Sequence, residues 1–322
     1  MEILGLVTNQ MLVMFLFIAV GFVLRKAKIL PEDSDTAFSR LETYLLVPAL
    51  NFFNQVSNCS VESLRENIRL TLYGGAVFII GMIIAQPLAA MFVRNVRDDA
   101  DRLYQRNIYR YAMSFSNYGF IGNFIVLGIW GQDGLFKYLL FCFIITLFCT
   151  SWGLFILIPK REGASIWKNL MKGFVTPPLI ALFAGVLGGL IGIKGYIPQF
   201  FMTFLSGASD CMGPVAMVLA GFVIGGYSMK SLITNKKVYV ASALRLILIP
   251  ALLLTVFHLL GADKDVLAFI LIAFASPLGL NTIVYPAAYG GDTSTGASMA
   301  LISNILGIVT IPLMYYVFIV LL

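Results

Sequence analysis

Two short polar stretches interrupt apolar segments that are long enough to cross a membrane. The first is SNYGFIGN at residues 116–123, and the second is SPLGLNT at residues 276–282. Hydrocarbon tolerates unwound backbone only where protein or a water-filled cavity satisfies the freed amide and carbonyl groups. Two such breaks at matching places in two halves of a membrane protein are the best sequence indication of a solute-binding site. We therefore expect these stretches to meet at such a site.

The composition indicates that lipid surrounds most of the chain. Of its 322 residues, 59% are hydrophobic and 12% are charged, whereas about 25% are charged in soluble domains. A soluble fold cannot bury this much apolar surface, so we expect an all-α polytopic membrane protein. The net charge of +6 is interpreted as membrane topology, with no nucleic-acid partner. The four cysteines lack metal-binding spacing and are expected to pack as apolar residues.

Ten segments are each long enough to cross the hydrocarbon layer of about 30 Å. They are residues 6–24, 37–56, 68–93, 107–128, 135–158, 174–193, 199–226, 238–260, 266–289 and 295–321. Seventeen Lys and Arg residues fall on one side of this topology and five on the other. The side with the excess is predicted to be cytoplasmic. Both termini are then extracellular, because the number of spans is even, and the plasma membrane is the expected location.

Three landmarks recur at nearly one spacing, which suggests an internal repeat. The pairs are Pro48 and Pro214, Pro87 and Pro250, and Asn117 and Asn281, which lie 166, 163 and 164 residues apart. The predicted units are residues 1–160 and 161–322, with five spans each. Because five is odd, the second unit is inverted relative to the first. Both breaks then lie near the midplane, where helix N-termini and amide side chains suit an anionic group. The alternative is that they are glycine or proline kinks filled by neighbouring helices.

The motifs resemble those of the auxin efflux carrier family of membrane transporters. NYGFIG at residues 117–122 resembles the family's fourth-span motif, and LVPAL at residues 46–50 resembles its second-span motif. Residues 277–282, 289–292 and 311–312 resemble its ninth and tenth spans. This resemblance implies ten transmembrane helices as two inverted five-helix repeats, with broken helices 4 and 9 that cross. It also implies a transport domain of spans 3–5 and 8–10, on a scaffold of spans 1, 2, 6 and 7 that is often dimeric.

The resemblance also implies a class of cargo, since bacterial members mostly carry organic acids such as malate or malonate. The chain departs from the family pattern at two positions. Phe124 stands where proline is usual, and Pro286 stands where a small residue is usual. We therefore expect a pocket of altered shape. The sixth span carries Gly185, Gly188, Gly189 and Gly192, which favour close helix packing, either internal or at the seam of a homodimer.

Candidate binding residues lie in the breaks or face them from neighbouring spans. The residues predicted to contact substrate are Asn117, Tyr118, Gly119, Pro277, Asn281, Thr282, Asn51 and Arg245. A guanidinium can hold a carboxylate through two hydrogen bonds, although Arg245 can also extend to the membrane interface. An ionisable residue at membrane depth is a functional hypothesis by default. Asp210, with Gln86, is accordingly predicted to serve ion coupling, and the alternative for Asp210 is a structural carboxylate.

Two further ionisable residues are expected to be peripheral. Glu42 is interpreted as a residue of the membrane interface, and His258, the only histidine, as a surface residue.

The leading functional hypothesis is a secondary transporter or facilitator. It moves a small organic anion, such as a malate-, malonate- or auxin-like carboxylate, by alternating access. A proton or sodium gradient drives it, or else the anion's own gradient together with the membrane potential.

The alternatives are a bile-acid/sodium-symporter-like carrier and a membrane sensor that does not transport. We find no GxxxxGK[ST] nucleotide-binding loop and expect no cofactor. An intramembrane enzyme is disfavoured, because a single histidine and the lack of HExxH and GxSxG motifs leave no evident nucleophile with its base, nor a metal cluster.

Overall fold

The computed structural model describes residues 2–158, 176–278 and 280–321. These ranges contain helices and their connections but no strand. The helices are α1 Glu2–Lys26, α2 34–58, α3 Val61–Met91, α4 Asp99–Ser114, α5 Asn123–Phe141, α6 Phe143–Leu157, α7 Pro177–Leu190, α8 Gln199–Gly226, α9 Met229–Ile233, α10 Lys236–Leu259, α11 Lys264–Ala275, α12 Asn281–Tyr289 and α13 Ser294–Val320. The predicted boundary between the two repeats, at residues 160 and 161, lies outside the described residues.

Local sequence accounts for several helix ends. Helix α3 begins at a capping box, in which Ser60 and Ser63 each accept a hydrogen bond from the backbone amide of the other, as expected for such a pair. Helix α4 begins where the Asp98 side chain accepts from the amide of Asp101 at 2.8 Å. Helix α12 ends at Gly290, whose φ of +75° is readily adopted only without a Cβ.

The membrane character of the chain follows from its long apolar helices. Helices α3, α8, α10 and α13 are each long and apolar enough to cross a membrane, and α6 forms a fifth with Asp133–Phe141, from which it is bent by 53°. Each of the ten predicted segments coincides with helical residues in the described ranges. Three of them, residues 107–128, 135–158 and 266–289, are divided into shorter helices. Gly131, with φ of +65°, also interrupts the helical geometry within α5, between the fourth and fifth segments. The structure therefore confirms an all-helical membrane protein.

Glycines set the closest helix contacts on one side of the molecule, where α1 packs along α8 and α2 along α7. A Cβ at Gly21 would lie 2.0 Å from the carbonyl oxygen of Val218, and a Cβ at Gly221 would lie 1.9 Å from that of Ile18. The backbones of α1 and α8 therefore touch directly.

The glycines of α7 make a similar contact with α2. A Cβ at Gly185 would lie 2.8 Å from the carbonyl oxygen of Phe52, and one at Gly189 would lie 2.3 Å from that of Cys59. The sequence left open whether these glycines pack internally or at a dimer seam. In the structure Gly185 and Gly189 pack internally, since their partners lie in α2 of the same chain or, for Cys59, directly after its end.

Most of the buried apolar side chains form one large cluster. This cluster includes residues of helices α3 through α6 and of helices α10 through α13, together with residues of α1 and α8. Two smaller clusters join α2 with α8. The cavities described below open where α2 and α8 face the interrupted helices.

Candidate functional site

The two predicted interruptions are present, and they touch. Helix α4 ends at Ser114 and a single π turn resumes at Tyr118, while α11 ends at Ala275 and α12 begins at Asn281. The amide of Asn117 donates to the carbonyl oxygen of Pro277 at 2.8 Å, within an isolated antiparallel bridge between residues 116 and 278. The extended segments therefore cross, and the two helices that follow them both begin at the crossing.

This crossing creates a local preference for negative charge. The first amides of any helix lack intrahelical acceptors, and aligned peptide dipoles place partial positive charge at the helix N-terminus. Here the π turn Tyr118–Gly122 and helix α12 both start at the crossing. An anion placed between the two starts would meet two positive dipole ends at once.

A cavity of about 80 Å³ lies at the crossing. It is bounded by both breaks, by α2 and by α6, and its polar lining residues are Asn51, Asn54, Gln55, Ser116, Asn117, Tyr118, Asn123, Thr146, Thr150, Asn281 and Tyr285. A wider cavity of about 300 Å³ shares Asn54, Gly119 and Asn123 with it and extends to Asp210 on α8. No charged side chain of the described residues lines the smaller cavity.

The side chain of Asn117, in the wall of the cavity, lacks hydrogen-bond partners for both of its polar atoms within the part of the chain that the structure describes. It is only 2% exposed, and neither its amide nitrogen nor its amide oxygen has a hydrogen-bond partner among the described residues. A buried polar group without a partner costs about 1–3 kcal/mol, and native proteins keep few of them. Asn117 therefore presents an unused donor and an unused acceptor to whatever enters the cavity.

Asn281, its counterpart in the second break, is held by a polar cluster. Its Nδ2 donates to the hydroxyl of Tyr111 at 2.6 Å, and that hydroxyl lies 3.0 Å from the Sγ of Cys149. Neither Tyr111 nor Cys149 is among the residues predicted from the sequence to lie at the site. A tyrosine six residues before Asn117 was the available signal, but its partners are distant in sequence. This cluster fixes the orientation of the Asn281 amide beside the cavity.

Removing the Tyr111 hydroxyl tests this positioning. Tyr111→Phe is expected to destabilise the protein by about 1 kcal/mol, because a hydrogen bond of ordinary strength is lost. Thermal melting in detergent measures the effect, with Tyr239→Phe, an exposed site, as the matched control. Equal melting temperatures for the two variants would show that the hydroxyl does not hold Asn281.

Three other predicted residues lie at the cavity. Tyr118 donates through its hydroxyl to Thr146 Oγ1 at 3.1 Å, Gly119 lines the wall, and Asn51 Nδ2 donates to the carbonyl of Pro178 at 3.0 Å. Pro277 contributes the carbonyl oxygen of the crossing. Thr282 is buried in the first turn of α12 but is not among the lining residues.

Arg245 is buried at a place other than the wall of the cavity. Its side chain is 1% exposed, its guanidinium carbon lies 5.0 Å from the ring centroid of Phe274, and its Nε and Nη1 have no partner among the described residues. It is not one of the residues that line the cavity. The alternative interpretation, extension to the membrane interface, is wrong because helices around α10 enclose the side chain. Its contact with substrate stays a prediction.

The two residues predicted for ion coupling are also apart from each other. Gln86 Oε1 accepts from Arg110 Nε at 2.6 Å, and both residues line a separate groove of about 590 Å³. Asp210 is exposed on α8 at the wall of the wider cavity. The structure therefore gives these residues no shared site, and their coupling roles stay predictions.

Glu42 differs from its expected position. It was interpreted as a residue of the membrane interface, but it is 1% exposed and its Oε1 has no hydrogen-bond partner among the described residues. The reason is the packing of α12 and α8 over the π turn Glu42–Leu46, which a local sequence pattern does not reveal. His258 is exposed, as expected.

Known proteins are similar in sequence to this chain over nearly its whole length. The family profile described as "membrane transport protein" matches residues 6–315. An uncharacterized transporter of Methanothermobacter thermautotrophicus is 22% identical over 307 residues, covering 95% of this chain and 96% of that protein. An uncharacterized transporter of Methanocaldococcus jannaschii is 24% identical over 319 residues, with the same coverage. The chain therefore belongs to the membrane transport protein family, the auxin efflux carrier family whose motifs its two breaks resemble.

Proposed function

We propose that this protein is a secondary transporter, or a facilitator, that carries a small organic anion across the cell membrane by alternating access. The carboxylate is of the malate, malonate or auxin type. The observation that carries the proposal is the unpartnered Asn117 amide at the cavity, beside two helix N-termini. An amide donor together with two positive dipole ends is a recognition surface for a carboxylate.

The arrangement of helices in the cavity wall supports a mechanism in which one domain moves along another. One side of it belongs to the breaks and to α6, and the other belongs to α2 with Met212 of α8. We assign spans 3–5 and 8–10 to a moving transport domain, and spans 1, 2, 6 and 7 to a scaffold. A site shared between two such bodies is exposed alternately when one body shifts past the other.

Symmetry in the close glycine contacts supports an inverted repeat of ten spans. Gly21 approaches the carbonyl of Val218, and Gly185 approaches that of Phe52. Gly185 follows Gly21 by 164 positions, and Val218 follows Phe52 by 166 positions. These are the spacings that relate the two breaks and the prolines. When each residue of one half is replaced by its equivalent in the other half, the contact between α1 and α8 thus corresponds to the contact between α7 and α2.

The remaining features of the proposal follow the topology. With the basic loops in the cytoplasm, both termini are extracellular. We propose a homodimer through the scaffold and a proton or sodium ion as the coupling ion. We propose that the wider cavity of about 300 Å³, which shares lining residues with the smaller one, provides further room for such an acid and a path to one side of the membrane.

Binding and flux together test the proposal. The purified protein is screened by thermal shift against malate, malonate and indole-3-acetate, with and without sodium, and then reconstituted for uptake of the radiolabelled acid. A ligand at about 100 times its Kd stabilises by about 2.7 kcal/mol, which a melting curve detects. Binding together with flux supports a transporter. Binding with no flux in sealed, protein-containing vesicles would favour a sensor, and neither binding nor flux would contradict the proposal.

A further inference from the structure

The carboxyl group of Glu42 lies where α2 packs against α12. One helical turn earlier on the same face, Ser39 Oγ donates to the carbonyl oxygen of Val284 at 2.9 Å. Tyr285, the residue after Val284, lines the cavity. Glu42 thus lies on the turn against which the cavity-lining helix α12 packs, at the seam between the proposed scaffold and the proposed transport domain.

The surroundings of this carboxyl group favour its neutral form. Its side chain is fully enclosed and its Oε1 has no hydrogen-bond partner among the described residues. No ion pair found in the described ranges includes it. An ionised carboxylate without a partner in a buried site is unfavourable by several kcal/mol. The group is therefore expected to hold a proton as long as α12 covers it.

Among the described residues, the titratable groups of the helices packed around Glu42 offer it no compensating charge. Helices α7, α8 and α12 pack against the π turn that carries it. Of these, α7 contains no titratable residue, the titratable residues of α8 are the exposed Asp210 and Cys211, and α12 contributes Tyr285 and Tyr289. Along α2 itself, Arg40 and Tyr44 are exposed and Asp35 is partly exposed. A bound proton is thus the means of neutralising Glu42 in this conformation.

We propose that Glu42 is the binding site for the coupling proton of the transport cycle. It is protonated while α12 covers it, and it releases the proton to water when the transport domain moves and uncovers the seam. Each cycle takes one proton from one side and delivers it to the other, together with the anion. Asp210 is less suited to this role, because its side chain is exposed rather than enclosed at the seam. The coupling role of Glu42 rests on the proposed transport function, whereas its assignment as a buried protonated carboxyl group does not.

Infrared spectroscopy of the purified protein tests the proton site without any substrate. At neutral pH the wild type is expected to show the carbonyl band of a buried protonated carboxyl group, and Glu42→Gln is expected to lack it. Glu62→Gln, which removes an exposed carboxyl group in the first turn of α3, is the matched control and should retain the band. A band that persists in Glu42→Gln, or is missing in the wild type, would overturn the assignment.

Uptake into proteoliposomes tests the coupling, with radiolabelled malate as the probe. An inward proton gradient is expected to accelerate uptake by the wild type and by Glu62→Gln several-fold, and to have no effect on Glu42→Gln. Exchange of labelled for unlabelled malate should persist in Glu42→Gln, and Glu42→Asp should retain the response to the gradient. Uptake by the wild type that ignores the gradient would refute the coupling role and leave the transport function intact. Absence of all uptake would instead refute the transport function, and the infrared result would still stand.

Discussion

Replacing Asn117 by alanine is expected to weaken binding of the transported acid by about 10- to 100-fold while leaving the empty protein at least as stable as the wild type. Hydrogen bonds to a charged group contribute about 1.5–3 kcal/mol, and each 1.4 kcal/mol corresponds to about tenfold in affinity. The Asn117 side chain makes no hydrogen bond within the described protein, so its removal takes away no internal contact of that kind. Function and stability should therefore change in opposite directions.

Two measurements separate these effects. The melting temperature of the empty protein reports stability, and the ligand concentration that gives half of the maximal thermal shift reports affinity. Asn95→Ala, in an exposed turn after α3, is the control and should change neither. Asn281→Ala should weaken binding and also lower the melting temperature, because Asn281 bonds to Tyr111. Unchanged affinity in Asn117→Ala would remove the crossing of the two breaks from the binding site.

The positions of the breaks could be predicted because local composition determines them. Glycine, proline and asparagine weaken a helix wherever they cluster, and a break in an apolar segment is visible without knowledge of its neighbours. The same holds for helix positions, which follow from the length of each apolar run. The inverted relation of the halves rests on weaker evidence, because recurring spacings of single residues say little about contacts.

Side-chain environments could not be predicted in the same way, because residues far away in the chain create them. Glu42 lies close to the start of its span, which suggests the interface, but the packing of α12 some 240 residues later buries it. Tyr111 reaches Asn281 across 170 residues. Gln86 accepts a hydrogen bond from Arg110, which follows it by 24 positions. In each case the partner is one that only the tertiary structure supplies.

The glycines of α8 allow a sharp test of the scaffold, because two of them differ completely in surroundings. A Cβ at Gly221 would lie 1.9 Å from the carbonyl oxygen of Ile18, whereas nothing lies within 4 Å of a Cβ at Gly207. Real Cβ atoms essentially never approach closer than 3.0 Å, so a methyl group at Gly221 must push α1 and α8 apart by about 1 Å. Backbone atoms cannot rotate away as side chains do, and close packing extends along both helices.

Gly221→Ala is therefore expected to destabilise the protein by more than about 3 kcal/mol, above the range of about 1–3 kcal/mol that is usual for overpacked side chains. Gly207→Ala, the same substitution in the same helix, should be neutral or stabilising by up to about 1 kcal/mol, because alanine favours helix. Gly185→Ala should fall between them, since its Cβ would lie 2.8 Å from the Phe52 carbonyl. Melting temperature and the monodisperse fraction in size-exclusion chromatography give the order. Equal stability of Gly221→Ala and Gly207→Ala would mean that α1 and α8 are not in backbone contact, and the symmetry argument for the inverted repeat would lose its main support.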